Sequence, residues 1–201
     1  MKIVQKAMVL VFCVALVVGV FSCTSTGGGE GKVVSGTWTW TPYTLGTKDN
    51  GDTSFLNLRE ADEEIGGATV HTYTLSGEVT MSIQYGLAEC DIVPDEETLA
   101  LLKTCKAISF KILGDGRRYN IEVPISTVKN WAFHMQSIAT TEGEVEDIFL
   151  PMPAFMQPSW NDQPRPFNRN LIEKVIFKTK NNAEGGLGNF SVKIWDFQLH
   201  M

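Results

Sequence analysis

The feature that most constrains this chain is a series of short β-rich runs, each closed off by turn-forming residues. The runs are Gly36 to Tyr43, Ala68 to Leu75, Val79 to Tyr85, Ala107 to Leu113, Arg118 to Val123, Trp131 to Ile138, Glu146 to Leu150, Lys174 to Thr179 and Phe190 to Leu199. In the last, Phe190, Val192 and Ile194 alternate with Ser191, Lys193 and Trp195, the period of a half-buried strand. Against them stands a single helical stretch, Asp95 to Lys106. Asp95, Glu96 and Glu97 lie at its positive end, and Leu99, Leu102 and Lys103 follow at helical spacing. Many short strands with one incidental helix predict an all-β fold, a β-sandwich or jelly roll.

The N-terminus reads MKIVQKAMVLVFCVALVVGVFSC. Lys2 and Lys6 precede an apolar run from Ala7 to Phe21, about 15 residues, the length of a signal core rather than of a membrane span. Ser22-Cys23 at its end resembles a bacterial lipoprotein processing box. That resemblance implies cleavage before Cys23, acylation of its thiol and attachment to a membrane of the cell envelope. An ordinary secretory signal or a short uncleaved anchor is the alternative. The next stretch, TSTGGGEGK, is too poor in apolar residues to pack and reads as a tether. The expected layout is a signal over 1–22, a tether over 23–35 and one domain over 36–201.

Without the signal, 15 basic residues face 23 acidic ones, a net charge of about −8 that repels phosphate backbones and argues against nucleic acid as a partner. Cys90 and Cys105 remain as a pair in an exported chain. Either they form a disulfide, closing a loop of about 15 residues worth roughly 3 kcal/mol, or they are two buried free thiols. No nucleophile elbow, HExxH helix or phosphate loop occurs, and His71, His134 and His200 are scattered, so no enzymatic constellation is visible. Gly114-Asp115-Gly116 lacks the acidic alternation of a calcium loop and reads as a hairpin turn. The carboxylates of Glu142, Glu144, Glu146 and Asp147 crowd one loop, as on a solvated surface.

Donors and acceptors suited to sugar hydroxyls gather in the later half. If Tyr119, Ile121 and Val123 face the core, Arg118, Asn120 and Glu122 project from the other side of the strand. His134 and Gln136 alternate with Phe133 and Met135 in the next run and are expected to join them. Trp131 or Trp160 would supply an aromatic platform for a pyranose ring. The plain alternative is a solvated outer face with Trp131 in the core.

The segments LLKTCKAISFKILGDGRRYNIEV, IFLPMPAFMQPSW and GNFSVKIWDFQL occur in the order seen in a known group of jelly rolls. With GDTSFLNLRE and HTYTLSGEVTMSIQYGLAEC before them, they resemble family 11 carbohydrate-binding modules and the complex I intermediate-associated protein 30 family. The resemblance covers Gly36 to Leu199 and implies a galactose-binding-like jelly roll, with Gly114–Gly116 a scaffold hairpin. It also implies that Asp196, on the last strand, either helps hold a structural calcium ion or is a hydrogen-bonded or solvated strand residue. Two functions follow: noncatalytic binding of a polysaccharide or envelope glycan through a sheet face, or an interaction or envelope-assembly module with a protein partner.

Overall fold

The computed structural model describes residues 31–44, 51–180 and 186–201. The signal, Cys23 and most of the tether lie outside the described residues. The first strands are β1 (Val33–Ser35), β2 (Trp38–Thr44), β3 (Phe55–Ile65), β4 (Ala68–Val79) and β5 (Leu87–Pro94). A helix, α1 (Glu96–Thr104), leads to β6 (Ala107–Leu113), β7 (Arg118–Val123), β8 (His134–Ala139), β9 (Val145–Pro151), β10 (Val175–Lys180) and β11 (Gly188–His200). One antiparallel sheet runs β3-β4-β11-β6-β9, with β1 added along β11; the other runs β2-β5-β10-β7-β8. This is a jelly-roll β-sandwich of the galactose-binding-like kind.

Alternation drives the packing. Leu75, Ile108, Ile112, Val192 and Ile194 of the six-stranded sheet meet Cys90, Ile92, Tyr119, Ile121 and Phe177 of the five-stranded one in a single core. Aromatic rings cross between the sheets. Trp40 stacks on Tyr73 at 4.2 Å, and Phe197 takes Trp38 edge-on at 4.9 Å. The helix is shorter than the Asp95 to Lys106 stretch, because Asp95 is its N-cap and accepts from Thr98 N at 2.8 Å.

Several expectations are corrected. The tether ends early, since Val33 to Ser35 pair with His200 to Gln198 of β11. Val79 to Tyr85 is no strand: β4 ends at Val79, and side-chain hydroxyls and a carboxylate take over the backbone beyond it. Thr80 N donates to Ser54 Oγ, Thr53 N to Ser82 Oγ, and Leu87 N to Asp52 Oδ2. β3 and β5 add strands to the runs read from sequence. The disulfide does not form. Cys90 lies inside the sandwich between Pro42 and Phe177, while Cys105 follows α1, and both are buried free thiols. Cys90 Sγ is directed at Asp91 O and Cys105 Sγ at Leu102 O. Burial pushes the Cys90 thiol up to about 12 and raises that of Cys105, so neither is a thiolate at neutral pH.

Asp196 explains how β11 serves as one long strand. Val192 and Ile194 face the core, yet so do Phe197 and Leu199, which have the opposite parity. The register shifts between Trp195 and Gln198, and Asp196 sits there at φ 52°, exposed. Calcium takes about six to eight oxygens. Among the described residues no group of three or more His, Cys, Asp or Glu is arranged to hold a metal. Its part here is the bulge, since Asp tolerates positive φ better than most residues. Asp196→Val is expected to destabilise the fold by about 1–2 kcal/mol, and Asp196→Gly to be neutral or mildly stabilising, as read by urea denaturation.

Candidate functional site

Register places the polar groups. Residues directly opposite on antiparallel strands point to the same face. One row across the outside of the five-stranded sheet is therefore Tyr43, Glu89, Lys178, Asn120 and Ser137. The next row is Thr41, Asp91, Ile176, Glu122 and Met135.

Ion pairs organise this floor. Lys178 Nζ donates to Glu122 Oε2 at 2.7 Å and lies 2.9 Å from Glu89 Oε2, all three side chains being buried. Lys174 Nζ reaches Asp91 Oδ2 at 2.5 Å. Burial alone would lower the Lys178 pKa, but Glu122 and Glu89 outweigh it and hold the ammonium above its ordinary range. Burial raises the carboxyl of Glu89, against the attraction of Lys178. Two carboxylates share one ammonium, so the middle of the face is slightly acidic. Asn120 Oδ1 accepts from Ser137 Oγ at 2.6 Å.

Aromatic groups bound one end. The Phe133 ring lies 5.9 Å from Lys178 Nζ, and Trp131 meets Phe133 edge-on at 6.2 Å. Trp131 is 65% exposed at φ 62°. Trp160, 62% exposed, belongs to a second loop joined to the first. Asn130 Nδ2 donates to Asn161 Oδ1, Gln157 Nε2 to Ala132 O, and the backbones of Met135 and Met156 pair.

Of the residues read from sequence, Arg118, Asn120 and Glu122 do share this face, with Trp131 and Trp160 on loops at its β8 side. His134 and Gln136 do not. They stand opposite Val123 and Ile121, whose side chains point into the sandwich. His134 is buried, its Nε2 3.0 Å from Arg165 O and its ring 4.6 Å from Phe167, and burial lowers its pKa. Gln136 Nε2 donates to Pro151 O. Both fasten loops rather than line the face. Sequence reading missed Glu89, Asp91, Lys178, Tyr43 and Phe133. The alternation of Ala88, Cys90 and Ile92 with Glu89 and Asp91 was the available signal.

The complex I intermediate-associated protein 30 family model matches residues 53–194. No curated protein matches the chain. Among solved structures, the family 11 carbohydrate-binding module of a cellulosomal cellulase of Clostridium thermocellum is similar over 82% of this chain and 89% of its own, at 14% identity and a TM-score of 0.56. A family 11 module from Clostridium thermocellum in complex with a β-1,3-1,4-mixed-linked tetrasaccharide is similar over 84% of this chain and 94% of its own, at 16% identity and a TM-score of 0.55. At such identity the likeness is one of fold.

Proposed function

The chain belongs to the complex I intermediate-associated protein 30 family, and on that premise we propose that its sandwich is a noncatalytic module that holds a saccharide chain along the outer face of the five-stranded sheet. The observation that carries this reading is Trp131. A large aromatic ring displayed to solvent at positive φ costs the fold about 1–2 kcal/mol in backbone strain that glycine would avoid. Stability does not explain such a residue, whereas stacking on the apolar face of a sugar does. On the same face the exposed hydroxyls of Ser137 and Tyr43 offer donors and acceptors for ring hydroxyls. The mixed-linkage tetrasaccharide held by a similar module supports the same ligand class.

Trp131→Gly is expected to leave thermal stability unchanged or raised, while binding of cello-oligosaccharides and mixed-linkage β-glucan, measured by calorimetry, falls about tenfold. Binding untouched by this substitution would falsify the reading. The second reading is an assembly module. The family description favours it, as do the exposed side chains of Trp131, Met156 and Trp160 on adjoining loops. Co-purification of a defined envelope protein, lost on Trp160→Ala, with no glycan bound, would decide for it.

Lipid attachment through Cys23 belongs to the same proposal, because the basic start, apolar core and Ser22-Cys23 occur together. Radiolabelled fatty acid should mark the wild type and spare Cys23→Ser. Equal labelling of both would remove the anchor.

A further inference from the structure

The far end of the same face carries two cations with no ion-pair partner among the described residues. Arg118 opens β7 and is exposed, and Lys180 closes β10 and is half-buried. Both lie on the outer side, in alternation with Tyr119 and Thr179, which face inward. The register sets Lys178 opposite Asn120, and Lys180 and Arg118 each lie two residues further toward the same end of the face. Neither side-chain cation is in an ion pair or hydrogen bond among the described residues. The other charges of the face are paired, Lys178 with Glu89 and Glu122, and Lys174 with Asp91. Two cations at one end of a face, unpaired among the described residues, form a local exception in a chain of net charge −6.

Along β7 from Val123 to Arg118 the face thus runs from aromatic, through acidic and amide groups, to cationic, over roughly 15 Å, the length of about three sugar units. We propose that Arg118 and Lys180 form a subsite for the carboxylate of a uronic acid unit, so that the preferred ligand is a uronate-bearing saccharide. This rests on the carbohydrate reading above. The guanidinium fork matches a carboxylate through two parallel hydrogen bonds, and Lys180 adds a second charge at the same point. The neighbouring units lie over the middle rows, where Ser137 and Tyr43 present exposed hydroxyls, and the far ring reaches Trp131. The ligand's charge and its hydroxyls then each meet their complement.

The test compares β-1,4-glucuronan oligomers with cello-oligosaccharides of equal length, which differ only at C6, using the full chain and calorimetry at low and physiological salt. The wild type is expected to bind the glucuronan oligomer about tenfold tighter at low salt, with the advantage shrinking as salt rises. Arg118→Gln with Lys180→Gln should remove the preference, bringing glucuronan down to the level of the cello-oligosaccharide with the thermal melt unchanged. Equal affinity for the two oligomers, or a preference that survives the double substitution, overturns the subsite. If neutral binding persists and still depends on Trp131, only this inference falls; if neither oligomer binds, the carbohydrate reading falls with it. A sulfated cello-oligosaccharide bound as tightly as the glucuronan overturns the assignment to carboxylate.

Discussion

Replacing Lys178 by alanine is expected to destabilise the protein by about 3–5 kcal/mol, seen as a fall of roughly 2 M in the urea midpoint. The ammonium is buried between Glu89 and Glu122, and its loss leaves two buried carboxylates without the cation they share. The pair's net worth is a different quantity. Replacing all three groups together, Lys178→Met with Glu89→Gln and Glu122→Gln, removes the charges as well as their attraction and is expected to cost far less than Lys178→Ala alone. If single and triple variants lose the same stability, the trio is not an electrostatic unit. Titration supplies a second check. Lys178 has its pKa raised on folding, so its contribution is complete below the unfolded lysine value and is lost as pH rises through the folded one. Glu89 is also raised, chiefly by burial. The folded state binds its proton more tightly, so its contribution is greatest below the ordinary glutamate range and disappears as pH rises through the raised value. Glu89→Gln should flatten stability across that acidic window.

These residues show where sequence reading succeeds and where it stops. Alternation within one run is a local property of the pleat, so the inward set of β7, Tyr119, Ile121 and Val123, and its outward partners were legible. Phase between runs is not local. β7 and β8 are joined by the irregular stretch from Pro124 to Phe133, and no period carries across it; His134 and Gln136 consequently fall on the inner side although they alternate properly within their own run. β3 was hidden for another reason. Its run READEEI is acidic, which strands normally avoid, but β3 is an edge strand and beyond Glu60 it pairs with the part of β4 that has left β11. β5 ends in proline and mixes Glu89 and Asp91 with small residues, so its acidic row, and with it the partner of Lys178, stayed out of view. The positive φ of Trp131 has no sequence signature at all. It depends on Asn130, which accepts from Ala132 N and donates to Asn161 on the neighbouring loop.

The second large effect is expected at Asp115, where alanine should cost about 3–4 kcal/mol. The two glycines beside it make the turn feasible. Gly116 has φ 81°, and a Cβ on Gly114 would stand 2.5 Å from Thr140 Cβ and 2.7 Å from Thr141 O. That close approach lets the Asp115 carboxylate gather donors from separate parts of the fold. It accepts from Ser191 N of β11 at 2.9 Å, Tyr119 Oη of β7 at 2.7 Å, Arg117 N at 3.2 Å and Thr140 Oγ1 at 3.4 Å. β11 lies in one sheet and β7 in the other, so one side chain ties both together at this end. Arg117 continues the tie by donating to the carbonyls of Gly186, Leu187, Gly188 and Asn189. Alanine would orphan the buried Tyr119 hydroxyl as well as remove charge-assisted bonds, whereas Tyr119→Phe removes that donor and leaves Asp115 its others, at about 1 kcal/mol. The double variant should therefore cost about 1–2 kcal/mol less than the sum of the two singles. Strict additivity, or a loss below about 1 kcal/mol for Asp115→Ala, would mean that the turn is only a bend and that the sheets are held at this end by apolar packing alone.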